Sequence, residues 1–180
     1  NKIFLNNETI KLNNSLGRVT CDNIKSKLNN PSNNLSSMDG YVLRYNDAIL
    51  IKTAPVTIVG ESSAGNPFRR SIKKQECIRI STGAVIPEGL NCILLKEKVT
   101  KNDGKIISTN QNIKKGDYIR KKGLNFKKND LLIKKNNIIT SRDIGIIASA
   151  NHSNIKVYKK PVISVISTGN KLRNPGKKIN

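Results

Sequence analysis

Short apolar runs separated by turn signals dominate the middle of the chain, from about residue 41 to residue 125. Runs of this length that are rich in β-branched residues are typical of strands. They predict strands at 49–51, 56–59, 77–80 and 92–95. Further extended segments at 99–100 and 105–107 flank Asp103-Gly104, a pair that tolerates the positive φ of a hairpin turn. The pattern therefore predicts a small β-barrel or sandwich.

Extended segments are also predicted on both sides of this β-rich section. Residues 8–12 and 18–25 flank a polar turn at 13–15. Residues 131–133 and 138–139 flank Asn136-Asn137, which predicts another hairpin. The polar segment 29–34 contains a proline and is typical of a domain boundary.

One helix is predicted after residue 139. Thr140 is the expected N-cap, and Asp143 stands three residues later, where a capping box places an acidic partner. Ile144, Ile147 and Ala148 recur at helical spacing and predict the apolar face. Asn151 is the expected C-terminal stop, and a short strand is predicted at 155–158.

Residues 161–166 form a nearly continuous apolar run that ends in Ser167-Thr168-Gly169. Such a run predicts a strand buried in a parallel sheet, with a ligand-binding loop at its C-terminal end. The elements needed to bury it do not follow in the sequence, so we expect the chain to end inside an α/β domain.

Composition narrows the possible functions. Hydrophobic residues make up 36% of the chain, and the net charge is +21. The lysines are scattered and no aromatic pairs accompany them, so specific nucleic-acid binding is not expected. No apolar run is long enough to span a membrane. The spacing of the three cysteines predicts reduced, partly buried thiols, and the single histidine, His152, is expected in a turn after the helix.

Three motifs offer candidate chemistry. Ser36-Ser37-Met38-Asp39-Gly40-Tyr41 contains a tight turn that presents a carboxylate, that of Asp39. The segment 79–89 leads from a strand into Thr82-Gly83, where glycine allows close backbone approach to a ligand. The basic loop 112–123 carries Arg120, which could bind a phosphate or carboxylate. Each motif alone also fits an ordinary turn or a solvated loop.

The order and spacing of these motifs over essentially the whole chain resemble the molybdopterin molybdenumtransferases, the MoeA and gephyrin family. The resemblance includes the 36–41 motif, Ala64-Gly65, the 79–89 motif, the loop around Arg120 and the Ser-Thr-Gly at 167–169. Leu16-Gly17-Arg18-Val19 also looks like the leading hairpin of that family.

The resemblance implies a mainly β fold with three parts. A discontinuous hairpin-plus-helix domain would comprise residues 1–31 and 127–158, with a β-barrel-like domain inserted at 32–126. Residues 159–180 would begin an α/β domain that binds molybdopterin.

The resemblance also implies a cytoplasmic homodimer that inserts molybdate into adenylylated molybdopterin, uses Mg²⁺ and releases AMP. It assigns catalytic roles to Asp39 and Thr82. It assigns substrate contacts to Ser36, Gly83, Arg120, Ser167, Thr168 and Gly169, and no metal ligand within the chain.

Three departures from the family pattern each remove at least one carboxylate. Leu124-Asn125 stand where the family has Glu-Asp, Asn170 replaces an acidic residue, and 33–35 lacks an expected aspartate. Because the chain is expected to end just inside the α/β domain that would bind molybdopterin, the chain alone is expected to be inactive. A non-catalytic dimerisation or scaffold module, or a degenerate remnant of the same fold, is the alternative interpretation.

Overall fold

The computed structural model describes residues 5–108, 112–168 and 175–176. Its strands, in chain order, are β1 (Asn7–Lys11), β2 (Ile24–Lys25), β3 (Leu35–Ser36), β4 (Gly40–Leu43), β5 (Val56–Ser62), β6 (Glu76–Ile80), β7 (Cys92–Leu95), β8 (Thr100–Asn102), β9 (Lys105–Ile107), β10 (Ile119–Arg120), β11 (Leu131–Ile133) and β12 (Asn154–Tyr158). The α-helices are α1 (Tyr45–Ile49) and α2 (Ser141–Ser149). Short 3₁₀ turns lie at Leu12–Asn14 and Lys96–Lys98.

The largest sheet has six strands in the order β7-β4-β6-β5-β9-β8. Only β5 and β6 are parallel, and the other neighbours are antiparallel. The sheet curls into a half-barrel, which confirms the predicted mainly β fold.

Both faces of this sheet are buried at its strands β4, β6 and β7. Because successive side chains of a strand point to opposite faces, neighbouring residues of β4 and β6 enter different cores. Val42 and Ile78 pack in one cluster, whereas Leu43 and Cys77 pack in the other. This arrangement explains why the strands read as apolar runs instead of strictly alternating ones.

The hairpin β8–β9 is confirmed. Asn102 pairs with Lys105, and the two residues between them, Asp103 and Gly104, have φ of 46° and 72°. These values are those of the primed turns that match the twist of antiparallel strands.

A second group of elements has its own core. β1 pairs with β12 and β2 pairs with β11, and α2 packs beside them. Seven buried apolar side chains form this cluster: Leu12, Ile24, Ile133, Ile139, Ile147, Ile155 and Val157. The predicted capping box of α2 is confirmed, since Thr140 and Asp143 bond reciprocally. Asn151, at φ 67°, follows the helix as expected.

Two local predictions were wrong. Residues 49–51 do not form a strand. Ile49 is the last residue of α1, and Ile51 is buried just beyond the end of that helix. Residues 131–133 and 138–139 do not pair with each other: β11 pairs with β2, and Ile138 bridges Val19. Short apolar runs fit helix or strand equally well. The observed pairings place Ile24, Ile133 and Ile139 in one buried cluster.

The predicted strand at 161–166 was also wrong in this structure. Residues 161–168 have no regular structure, and Val162 and Val165 are 96% and 88% exposed. A strand needs partners for its backbone groups and elements that cover its faces. No such element of the described chain lies against it. Ser167 and Thr168 are exposed, and Gly169 lies outside the described residues.

The two groups of elements are joined where two chain segments run side by side. Asn30 pairs with Phe126, and the Asn125 N–H donates to the Asn30 carbonyl at 2.9 Å. No helix of the described ranges is long and apolar enough to cross a membrane.

Candidate functional site

Asp39 and Thr82 lie together because of the register of two strands. Gly40 of β4 pairs with Ile80 of β6 in antiparallel fashion, so the residue before β4 meets the loop after β6. Asp39 Oδ1 accepts hydrogen bonds from the Thr82 backbone N–H at 2.8 Å and from its Oγ1 at 2.9 Å. The two motifs singled out in the sequence thus meet in one place.

Lys96 is a third member of this group, and it was missed in the sequence. β7 runs antiparallel to β4 with Leu95 opposite Gly40, so Lys96 lies beside Asp39. The Lys96 backbone N–H donates to the Asp39 carbonyl at 3.5 Å, and its Nζ lies 3.7 Å from Oδ2. In the sequence Lys96 is one of many scattered lysines, and no local signal distinguishes it.

The surroundings of Asp39 favour its ionised form. The backbone hydrogen bond from Thr82, then its side-chain hydrogen bond, and then the charge of Lys96 lower the pKa of Asp39 below its usual value of 3.8. Desolvation, which raises the pKa of Asp39, ranks between the Thr82 hydrogen bonds and the charge of Lys96 and does not reverse the shift. Asp39 is therefore a carboxylate at neutral pH with one oxygen fixed and the other facing a cation.

A pocket of about 110 Å³ opens beside this group. Its lining combines one carboxylate, two cationic side chains and two hydroxyl-bearing residues: Asp39, Gly40, Tyr41, Arg79, Ile80, Ser81 and Lys96. With Arg79 and Lys96 charged, the charged side chains of the lining sum to one net positive charge.

Ser36 and Gly83 support this group through the backbone. Ser36 is buried, and its hydroxyl donates to the Met38 carbonyl at 2.6 Å, which stabilises the turn leading to Asp39. Gly83 donates its N–H to the Ser36 carbonyl at 2.8 Å and has φ of 81°. The Ser36 hydroxyl is therefore engaged within the turn.

Larger clefts lie elsewhere. Two open clefts of about 460 and 290 Å³ flank His152, whose Nε2 lies 2.8 Å from the Lys25 carbonyl. None of the motifs identified in the sequence lines either cleft. Size alone therefore does not locate the chemistry, and the Asp39 group remains the candidate site.

The cysteines do not contribute reactive groups. Cys21, Cys77 and Cys92 are free, as predicted, and all three are buried where partial burial was expected. Burial raises the pKa of Cys77 to about 12 and, together with the charge of Asp117, that of Cys92 to about 11. Within the described ranges no group of three or more His, Cys, Asp or Glu residues could hold a metal ion.

A family profile described as "MoeA N-terminal region (domain I and II)" matches residues 2–151. The chain belongs to the MoeA family.

Named relatives agree with the MoeA assignment. A molybdopterin molybdenumtransferase of Haemophilus influenzae is 33% identical over 94% of this chain, which spans 42% of that protein. A gephyrin of Dictyostelium discoideum is 29% identical over 92% of this chain and 24% of its own length. The chain thus spans less than half the length of these relatives.

A solved structure has the same fold. The molybdopterin biosynthesis MoeA protein of Pyrococcus horikoshii is 28% identical, with a TM-score of 0.90, over 99% of this chain and 46% of its own length. This agreement covers both groups of elements described above.

Arg120, another predicted contact of this MoeA chain, does not line the pocket beside Asp39. Its Nη2 donates to Asn125 Oδ1 at 3.2 Å, and Asn125 Nδ2 donates to Asn30 Oδ1 at 3.0 Å. Asn125, one of the departures from the family pattern, therefore joins Arg120 to the segment that connects the two groups of elements. Leu124 beside it is 61% exposed.

Proposed function

We propose that this chain is part of an enzyme of molybdenum cofactor biosynthesis that inserts molybdate into adenylylated molybdopterin and releases AMP. The observation that carries the proposal is the MoeA profile match across residues 2–151. The names of the relatives, molybdopterin molybdenumtransferase among them, supply the reaction class.

In this proposal Asp39 and Thr82 act as one unit. Thr82 fixes Oδ1 through two hydrogen bonds, so Oδ2 is the oxygen that can accept a proton or meet a cation. A carboxylate held in one orientation needs little reorganisation when a substrate arrives. Ser36 and Gly83 set the backbone that carries this pair, while Arg120, Ser167, Thr168 and Gly169 remain proposed substrate contacts.

Mg²⁺ fits this site only in part. Mg²⁺ usually keeps several waters and is held by one or two carboxylates together with substrate phosphates. Asp39 offers one suitable oxygen, Oδ2, which Lys96 Nζ approaches to 3.7 Å. When bound, the ion would neutralise phosphate charge, and Asp39 Oδ2 is the oxygen that this site could offer it beside the substrate.

The proposed enzyme is a cytoplasmic homodimer. Its discontinuous first domain would comprise residues 1–31 and 127–158, its β-rich domain 32–126, and a further domain would begin near 159. The separate apolar clusters on either side of the Asn30–Phe126 pairing support this division. The exposed apolar segment 161–168 would be covered in the complete enzyme.

The first prediction is that this chain alone does not release AMP from adenylylated molybdopterin in the presence of molybdate and Mg²⁺. It spans 42% of the Haemophilus influenzae relative, and the rest of the site would come from the part that is not matched. AMP would be measured chromatographically against a no-protein blank. Release well above that blank would contradict the prediction.

A chimera would be tested in the same experiment as the protein that is expected to be active. This chain would replace the matching part of the Haemophilus influenzae protein, and the same assay would be repeated. Molybdate-dependent AMP release is expected from the chimera. A chimera that folds, dimerises and binds molybdopterin without turnover would instead favour the scaffold or remnant interpretation.

The second prediction concerns the departures at Leu124 and Asn125. If these residues mark lost function, Leu124→Glu combined with Asn125→Asp should raise turnover or Mg²⁺ affinity of the chimera several-fold, because carboxylates supply the hard oxygen ligands that Leu lacks. Leu131→Glu combined with Asn137→Asp, at another exposed leucine and asparagine, adds the same two negative charges and controls for them. An equal response of both variants, or no gain, would argue against decay at this site.

The third prediction is that the net charge of +21 gives only non-specific binding to nucleic acid. Scattered lysines release counterions from any phosphate backbone, so affinity should fall by about a hundredfold or more between 50 and 200 mM salt. Fluorescence anisotropy with unrelated duplexes and single strands should give similar affinities. One oligonucleotide bound about a thousandfold tighter than scrambled controls at 200 mM salt would show specific nucleic-acid binding and contradict this prediction.

A further inference from the structure

Cationic and hydroxyl-bearing side chains line the pocket beside Asp39, and none of them takes part in the hydrogen bonds between Asp39 and Thr82. Arg79 is exposed on β6, and within the described part of the chain its guanidinium makes no hydrogen bond or ion pair. Planar guanidinium groups without a partner at a concave surface are suited to phosphate-like anions. The guanidinium N–H groups of Arg79 are therefore available to a ligand in the pocket.

Lys96 lines the same pocket and is only loosely engaged. Its Nζ lies 3.7 Å from Asp39 Oδ2 and 4.0 Å from Glu97 Oε1, both beyond ordinary hydrogen-bond length. An ammonium group carries three donors, so Lys96 retains donors for a ligand. Glu61, opposite Arg79 in the register of β5 and β6, and Glu97 do not line the pocket.

The one carboxylate in the lining is already countered. Asp39 Oδ1 is occupied by the Thr82 N–H and hydroxyl groups, and Oδ2 faces Lys96. Tyr41 and Ser81 add hydroxyl groups to the lining. The pocket volume of about 110 Å³ corresponds to a few water molecules at about 30 Å³ each, which is suited to one small ion.

We propose that Arg79 and Lys96 form a subsite beside Asp39 that binds one tetrahedral oxyanion, a phosphate or molybdate group. The identity of the oxyanion rests on the proposed function, whereas the subsite rests on the pocket. Bound there, the anion would be held by Arg79 and Lys96, next to the Asp39 carboxylate whose charge Thr82 and Lys96 already counter.

The test is an NMR titration of this chain with inorganic phosphate and, separately, with molybdate, at constant ionic strength. Saturable shifts of the Thr82 and Gly83 amides are expected, with a Kd on the order of 1 mM for so few contacts. Arg79→Gln and Lys96→Met should each weaken binding about tenfold. Saturation by phosphate alone, by molybdate alone or by both identifies the anion and supports the subsite.

Lys98→Met is the matched control, because Lys98 is exposed on the same 3₁₀ turn and the substitution removes the same charge. It should change the Kd by less than about twofold. The spectra themselves report whether each variant is folded. Equal weakening by Lys98→Met and Lys96→Met, or no saturable shift with either anion, would overturn the subsite. Because no turnover is measured, such a failure is distinct from a failure of AMP release by the chimera.

Discussion

Replacing Gly40 with alanine is expected to lower the free energy of unfolding by about 3 kcal/mol, the upper end of the usual cost of overpacking. A Cβ on Gly40 would lie 2.1 Å from the Leu94 carbonyl oxygen and 3.2 Å from the Leu95 Cα. These are backbone atoms of β7, so no rotamer change can relieve the clash. β4 and β7 would have to separate at the point where Asp39 and Lys96 meet.

Gly145→Ala in α2 is the matched control for this experiment. A Cβ there has no other atom within 4 Å, and the glycine lies within a helix. Alanine should therefore stabilise the chain by about 0.5–1 kcal/mol, through its higher helix propensity. Urea unfolding followed by circular dichroism would measure both variants. A Gly40→Ala protein as stable as the parent would show that the β4–β7 contact is looser than the structure has it.

Asp39→Asn and Thr82→Ala are each expected to reduce turnover of the chimera by about tenfold or more, a typical loss when a positioned catalytic group is removed. Asp39→Asn removes the charge, and Thr82→Ala removes the hydroxyl that fixes Oδ1 but keeps the backbone hydrogen bond. Both residues lie at exposed turns, so the midpoint of unfolding should be nearly unchanged. Unchanged kinetics in both variants would return the pair to a purely structural role.

The pH dependence of Asp39 offers a measurement without turnover. Because hydrogen bonding lowers its pKa, the Asp39–Thr82 interaction is complete above the usual carboxyl range and is lost as pH falls through the lowered pKa. Thr82→Ala should therefore shift the titration of Asp39, followed by carbon NMR, towards higher pH. A titration that does not move would mean that the Thr82 hydroxyl does not bond to the carboxylate in solution.

The sequence was sufficient to predict elements that depend only on residues close together in the chain. Asp103-Gly104 specifies its turn through backbone conformation, and Thr140 with Asp143 caps a helix within three residues. Those elements were predicted correctly from the sequence. The run at 49–51 was not, because three apolar residues are buried equally well at the end of a helix or in a strand.

Distant pairings could not be predicted from local pattern. β2 and β11 lie more than 100 residues apart in the chain, and their pairing replaces a hairpin that the turn residues Asn136-Asn137 would also allow. The choice depends on which pairing closes the core around Ile24, Ile133 and Ile139, a property of the whole domain.

The sequence by itself determined the family, the mainly β fold and the two motifs that carry Asp39 and Thr82, because these depend on residue order and on short-range backbone preferences. Only the tertiary structure decided that these motifs meet and that Lys96 and Arg79 share their pocket. The physical reason is strand register. Gly40 stands opposite both Ile80 and Leu95, and this register brings the residues that flank β4, β6 and β7 together at one end of the three strands.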